Sequence, residues 1–203
     1  RACYHSTMLK PLIATVLLLA ATTSAPRSVP TFSALDVAGS VTLEVHVGKP
    51  QRVVLEGEKA ALDEMVTEVV KGVLMIHPKP KSKGWRDLLK NAPVVTAYVD
   101  VPRLTSLKAS GACTVAADHL AGPNFSLTLS GASAATLGGK VDKFQAHLSG
   151  ASKLDAAILK ADKVAVDATG ASHALVNATT ALTADATGAS DIAYVGKPKL
   201  TQK

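Results

Sequence analysis

Cysteine is nearly absent from this chain: Cys3 and Cys113 are the only two in 203 residues. No disulfide framework is available, so stability has to come from packing. Aromatic residues make up 3% of the chain, which leaves little with which to build aromatic-lined sugar or nucleotide sites. The longest apolar run, Leu12 to Ala21, is too short to span a bilayer. Neither charge sign dominates. The formal charge is +6, falling to +4 without Arg1 and Lys10, and acids and bases are interspersed, which argues against a nucleic-acid footprint. There is no Cys pair, no His-x-x-x-His and no Asp-rich calcium loop, so no metal centre and no cofactor are expected.

What the chain has is repetition. One motif occurs five times: Ser110-Gly111-Ala112-Cys113, Ser130-Gly131-Ala132-Ser133, Ser149-Gly150-Ala151-Ser152, Thr169-Gly170-Ala171-Ser172 and Thr187-Gly188-Ala189-Ser190. Its glycines are spaced by 20, 19, 20 and 18 residues. A nearly fixed period marks a solenoid. Two residues before each glycine stand Ala109, Leu129, Leu148, Ala168 and Ala186. Four before stand Leu107, Leu127, Ala146, Val166 and Ala184, and six before stand Thr105, Phe125, Phe144, Val164 and Leu182. These mostly apolar columns lie two residues apart, which is the period of a strand with one buried face. A second apolar position follows four residues after each glycine, at Val115, Ala135, Leu154, Ala174 and Ile192. Each repeat therefore reads as strand, tight corner, strand. Leu120, Val141 and Leu159 suggest a less regular third side. The period is too short for a strand-and-helix crossover. It suits one coil of a parallel β-helix. The fold class expected is all-β, with the regular coils at about 105–195 and Gly111, Gly131, Gly150, Gly170 and Gly188 at structural turns. Cys113 fills a slot that is Ser in the other four copies and reads as a small corner side chain.

Ahead of the repeats, Met8 reads as a start. Lys10, the Leu12–Ala21 run and the small residues to Ala25 read as a secretory signal peptide. The boundary is set at residues 1–25 for the upstream residues and leader and 26–203 for a single domain, with Ala21 as an alternative cleavage site. The expected location is periplasmic, secreted or at the cell surface, with no transmembrane segment in the mature chain. Val41 to Val47 and Gln51 to Glu56 read as two strands of a hairpin around Gly48-Lys49-Pro50. Ala61, Leu62, Met65, Val66, Val69 and Val70 recur at helical spacing and predict a short helix, with Met65 in the core. Gly72 to Ile76 and Val94 to Val101 read as strands. These elements form an N-terminal strand and short-helix cap. Between them, His77 to Asn91 carries Lys79, Lys81, Lys83, Arg86, Lys90 and Trp85, and reads as a solvated insertion.

Several of these elements together resemble the head GIN domain family of auto-transporter adhesins, a domain family without established function. The resemblance rests on Phe32, Leu35, Val37 and Gly39, the strand Val41 to Gly48, Gly72 to Ile76, Val99 to Leu104, the five Ser/Thr-Gly-Ala motifs, and the closing Ile192, Tyr194, Gly196 and Pro198. It covers nearly all of the chain after the leader. It implies an exported, right-handed, single-stranded parallel β-helix, with no established activity and no catalytic residues. Too little sequence follows Pro198 for a membrane barrel, so a free periplasmic or secreted domain is expected.

Chemistry is sparse. The residues three before each glycine, Lys108, Thr128, His147, Asp167 and Asp185, form one outward ladder. Adjacent coils place His147 beside Asp167, and Asp167 beside Asp185. That pattern allows a His–Asp pair, a weak metal site or a carboxylate pair, against the plainer reading of a solvated strand face. His119 and His173 stand alone on turns, and His46 faces water or a loop. The expectation is a noncatalytic module for adhesion, envelope scaffolding or glycan binding. Its partner is a cell-envelope or extracellular glycan or protein, not nucleic acid, and it is a monomer or small oligomer. The competing reading is a β-helix carbohydrate-active enzyme of the polysaccharide lyase or hydrolase kind, which rests on fold analogy.

Overall fold

The computed structural model describes residues 22–79 and 95–202. The residues read as the leader up to Ala21, and most of the basic His77–Asn91 insertion, lie outside them. The described residues form 14 strands and one short helix. They build a β-solenoid of about five turns.

The repeat dictates the architecture. Each long strand runs through one whole turn: β9 (Thr114–Gly131), β10 (Ala134–Leu148), β11 (Lys153–Ala168) and β12 (His173–Ala186). Each pairs in parallel with the next, Phe125 opposite Phe144 and Phe144 opposite Val164, so that every column of the sequence alignment becomes a ladder. The columns two and four residues before the glycines are buried through the middle turns: Leu127, Leu129, Ala146, Leu148, Val166 and Ala168 are at most 2% exposed. Phe125 and Phe144 stack with centroids 6.0 Å apart inside the tube. The last copy, at the end of the solenoid, is more open, with Ala184 half-buried and Ala186 exposed. Thr105, expected in the apolar column, is exposed, and Leu104 fills the core there instead.

The third side is real but shifted. Leu120 and Leu159 both register with Gly139, whereas Val141 registers with Gly122 and Ala161, two residues on. Bulges between Thr136 and Gly138 and between Leu137 and Gly139 absorb the unequal repeat lengths.

A sixth corner lies far upstream. β2 (Ala34–Gly39) pairs in parallel with β8 (Ser106–Gly111), Gly39 opposite Gly111. β3 (Val41–Val47) then pairs with β9. The chain thus lays down one turn, departs, and resumes stacking 72 residues later. The excursion forms the closed end. β6 (Val73–Pro78) stacks on β2, and β7 (Val95–Val101) on β3, both in parallel. Beyond them β5 (Met65–Val70), β4 (Arg52–Gly57) and β1 (Thr23–Pro26) add antiparallel. Gln51 ties the entering chain down by donating to the Val29 and Pro30 carbonyls and accepting from the Phe32 amide.

Two expectations are corrected here. β3 and β4 are strands, but not a hairpin: β7 inserts between them. The predicted helix is a single turn, α1 (Lys59–Asp63), with Ala61 and Leu62 buried, and Met65 to Val70 is strand β5. That segment pairs with β6 along its whole length, and this ladder overrides a helical spacing carried by β-branched valines. Met65 does pack against the core. At the other end, β13 (Asp191–Val195) and β14 (Lys199–Gln202) add to β12, so the residues after Pro198 complete a turn rather than trail from it.

Glycine is required at the corners for two separable reasons. Gly150 has φ +79°, and a Cβ there would sit 2.6 Å from the Gly131 carbonyl oxygen. Gly48 has φ +91° and open space around it. Gly48→Ala should cost about 1–2 kcal/mol for the left-handed backbone alone. Gly150→Ala should cost at least about twice that, since the coils must also part. Urea unfolding of the two variants measures the difference. Equal losses would show that the stacked carbonyl imposes no restraint.

Candidate functional site

The solenoid has two long sheets, each with an outward face. The first carries the predicted ladder. Registers place Lys108, Thr128, His147, Asp167 and Asp185 in one column, as the repeat spacing requires. His147 Nδ1 lies 2.9 Å from Asp167 Oδ2, with both side chains about half exposed. Asp185 is the next rung. Upstream the column continues to Asp36, whose Oδ2 lies 3.4 Å from Lys108 Nζ. The sequence reading missed Asp36. Its signal was the spacing Leu35, Val37, Gly39, which repeats that of Leu107, Ala109, Gly111. This column is a set of solvated cross-strand pairs, each worth a few tenths of a kcal/mol. Among the described residues no three His, Cys, Asp or Glu side chains converge on a metal-binding point.

The corner between the sheets is structural. Ser133, Ser152 and Ser172 are at most 1% exposed, and each donates to the carbonyl three residues earlier, at 2.8–2.9 Å. Cys113 stands in the same slot with Sγ 3.4 Å from the Ser110 carbonyl oxygen. Burial pushes its thiol pKa up, against weaker opposition from backbone contacts with Val41 and Ser110. It is a packed corner side chain, not an activated nucleophile.

The second sheet's outward face holds more chemistry than the sequence suggested. Along one row lie Val54, Tyr98, Glu44, Ala116 and Thr136, in direct register across β4, β7, β3, β9 and β10. Along the next lie Arg52, Asp100, His46 and Asp118. Two shallow hollows open on this face and share His46. One, of about 330 Å³, is lined by Tyr98 with Lys49, Arg52, Glu56 and Asp100. The other, of about 160 Å³, has Ala116, Thr136, Gly138 and Ile158 beside Glu44 and Asp118. Ile158 is 70% exposed, and a Cβ on Gly138 would meet its Cδ1 at 3.1 Å, so this side chain lies over Gly138.

Charges around these hollows are arranged, not scattered. Lys49 Nζ reaches Asp100 Oδ1 at 4.0 Å. The Tyr98 hydroxyl has its pKa raised, first by partial burial and then by Glu44 and Glu56. Asp118 accepts from two imidazoles, His46 Nδ1 at 3.0 Å and His119 Nδ1 at 3.2 Å. His119 is therefore not isolated: its backbone, at φ +56°, turns the ring onto the neighbouring carboxylate. His46 faces outward as expected, but onto Asp118. His173 opens β12 between Lys153 and Asp191.

A solenoid with polar outward ladders and a solid apolar interior belongs to the class of repetitive β-solenoid proteins. The chain is a member of the family described as "Putative auto-transporter adhesin, head GIN domain", which matches residues 31–198. Solved structures agree on the fold. A putative adhesin from Bacteroides fragilis is 18% identical, with a TM-score of 0.68, covering 90% of this chain and 94% of its own. A putative adhesin from Parabacteroides merdae is 15% identical, with a TM-score of 0.57 over 90% and 92%. A protein from Parabacteroides distasonis described as a putative lipid binding protein is 18% identical, with a TM-score of 0.50 over 89% and 92%. No curated protein matches the chain significantly.

Asp118 allows a test of this face. Partial burial alone would raise its carboxyl pKa, but the hydrogen bonds from His119 and His46 outweigh that and hold it below the usual carboxylate range. A depressed carboxyl stabilises the fold above its unfolded pKa, and that contribution is lost as pH falls through the folded one. The stability gap between the native protein and Asp118→Asn should therefore narrow below about pH 4. Urea midpoints taken down the acid range measure it. Parallel curves would show that the two imidazoles do not stabilise the carboxylate.

Proposed function

We propose that this protein is an exported, noncatalytic attachment module that holds a component of the cell envelope or an extracellular surface on its outward sheet faces. The observation that supports this best is the contrast between its two surfaces and its interior. The interior columns are filled with side chains. The outward faces present columns of Thr, Asp, Glu, Lys and His over many strands. Extended faces of this kind suit broad or repetitive ligands. The family description and the adhesin descriptions of similar structures point the same way. The enzyme reading has only the His147–Asp167 pair, which is open to solvent and has no aromatic neighbour in its column. Among the described residues no helix is long and apolar enough to cross a membrane.

Attachment is measured by binding of the purified domain to whole cells, envelope extracts and printed glycans. Saturable binding to one of these surfaces is the expected result. Retention by none would overturn the attachment reading. Release of unsaturated products from uronic-acid polymers would replace it with the lyase.

The export reading rests on Met8, Lys10 and the Leu12–Ala21 run, and strand β1 supports Ala21 over Ala25 as the cleavage site. Thr23–Pro26 forms β1, which pairs with β4, and Ala25 packs against the core. Cleavage after Ala21 keeps this strand, whereas cleavage after Ala25 removes three of its four residues. N-terminal sequencing of the exported protein should therefore begin at Thr22. A start at Pro26 would mean that β1 is dispensable, and an uncleaved cytoplasmic chain would exclude export.

A further inference from the structure

The second sheet's outward face differs from the rest of the surface in one respect. Of the aromatic side chains in the described residues, Phe32, Phe125 and Phe144 are in the core, and only Tyr98 and Tyr194 are outside it. Tyr194 sits on the last strand. Tyr98 sits on β7 with β4 on one side and β3 on the other, so its neighbours are fixed by two paired strands. Directly across are Val54 and Glu44. Diagonally placed are Arg52, Glu56 and His46, and Asp100 lies two residues along the same strand.

We propose that the Tyr98 hollow, extended by the adjoining Ala116–Ile158 hollow, binds uncharged pyranose units of a glycan. This rests on the attachment reading and names its site and ligand class. A pyranose has an apolar C–H face and a rim of hydroxyls. The face of an aromatic ring carries negative quadrupole density that attracts C–H groups, and its area is large for a rigid side chain. Around the ring, carboxylates at Glu44 and Glu56 accept from hydroxyls, and the Arg52 guanidinium donates to them. Charged groups make the stronger hydrogen bonds of this kind. No ion pair or hydrogen bond within the described residues engages Arg52, Glu44 or Glu56, so they are free to do this without breaking a contact. The larger hollow, about 330 Å³, is at the low end of the roughly 300–1,000 Å³ typical of small-molecule sites. The second hollow offers a further apolar bed, with Ile158 over Gly138 and the carboxylates of Glu44 and Asp118 at its edge.

The charge balance selects among glycans. Glu56 and Asp100 line the Tyr98 hollow with Lys49 and Arg52, Lys49 is already engaged with Asp100, and Glu44 stands directly across from Tyr98 at the edge of the adjoining hollow. The raised pKa of the Tyr98 hydroxyl reports the same negative surroundings, after partial burial. A uronic or sialic acid would bring another carboxylate into this field. Uncharged hexoses and N-acetylhexosamines would not.

The test titrates the exported protein with hexamers of β-linked glucose, mannose and N-acetylglucosamine, and with a polygalacturonate of matched length as the acidic counterpart. At least one neutral hexamer should bind saturably, and more tightly than the polygalacturonate. Tyr98→Ala should weaken that binding about tenfold or more. Tyr98→Phe, which keeps the ring face, should stay within about threefold. Glu44→Gln provides a second variant, a near-isosteric change at a half-buried polar position, in case the truncation at Tyr98 fails to fold, and should weaken binding about threefold or more. Neutral binding unchanged in both Tyr98→Ala and Glu44→Gln would overturn this site while leaving attachment intact. Tighter binding of the polygalacturonate would overturn the ligand class. Attachment to cells with no neutral hexamer bound would overturn the inference alone, whereas attachment to nothing would overturn the function on which it rests.

Discussion

Everything in this solenoid depends on how closely one corner stacks on the next. At each corner the Gly carbonyl accepts a hydrogen bond from the Ala amide of the following turn: Gly111 from Ala132 at 2.7 Å, Gly131 from Ala151 at 2.8 Å, Gly150 from Ala171 at 2.8 Å and Gly170 from Ala189 at 2.7 Å. To reach that distance the carbonyl oxygen occupies the place where the next turn's Cβ would be. The same glycine must also adopt a left-handed backbone. Two demands fall on one residue, and glycine alone meets both. Serine completes the arrangement. Its hydroxyl, turned inward two residues after the glycine, donates to the half-buried carbonyl three residues earlier and so closes the bend. Once the corners are in register, the period-two alternation does the rest, and each buried column becomes a stack of like side chains.

This explains which parts of the fold were legible in the sequence. A corner that tolerates one residue type repeats visibly, so the five motifs, the buried columns and the Lys108-to-Asp185 ladder could be read from spacing. The sixth corner, at Gly39, does not stand out because Val41 replaces the inward serine and 72 residues separate it from the next. Parity within a strand was legible too. Val95, Ala97, Val99 and Val101 alternate with Thr96, Tyr98 and Asp100, so Tyr98 had to point outward. What the spacing could not show was which strand lies beside β7. A short turn at Gly48-Lys49-Pro50 argues for pairing β3 with β4, yet both pair with β7 instead. Non-local pairing costs loop entropy, and no local pattern encodes it.

The two ends follow different solutions to the same exposed-edge problem. At the closed end the parallel register is broken by antiparallel strands β4, β5 and β1, and Ala61 and Leu62 of α1 turn into the core. At the other end the inward columns finish on Ile192, Tyr194 and Leu200, and Tyr194 and Leu200 remain 44% and 37% exposed. There the edge is blunted by short strands, by Lys197 and Lys199, and by Pro198, which has no amide to donate. These strands leave their apolar residues partly exposed.

The same contrast explains why the candidate binding face lies where the repeat is interrupted. A regular solenoid places equivalent positions on top of each other, so its surfaces are columns of similar groups at one height. The Lys108-to-Asp185 column is of this kind, and it makes pairs without making a hollow with an aromatic wall. A recognition site needs unlike groups at unlike heights: an apolar bed, a raised edge, donors beside acceptors. The excursion between the sixth corner and the first regular one supplies them. β4 brings Arg52, Val54 and Glu56, and β7 brings Tyr98 and Asp100, into a sheet whose next strands offer Glu44 and His46, then Asp118 and the small Ala116. The step down from Tyr98 to Ala116 across three neighbouring strands is what leaves room on the face. The regular coils give the protein its length and rigidity, and the inserted strands give it the one outward aromatic, among the described residues, held between paired neighbours.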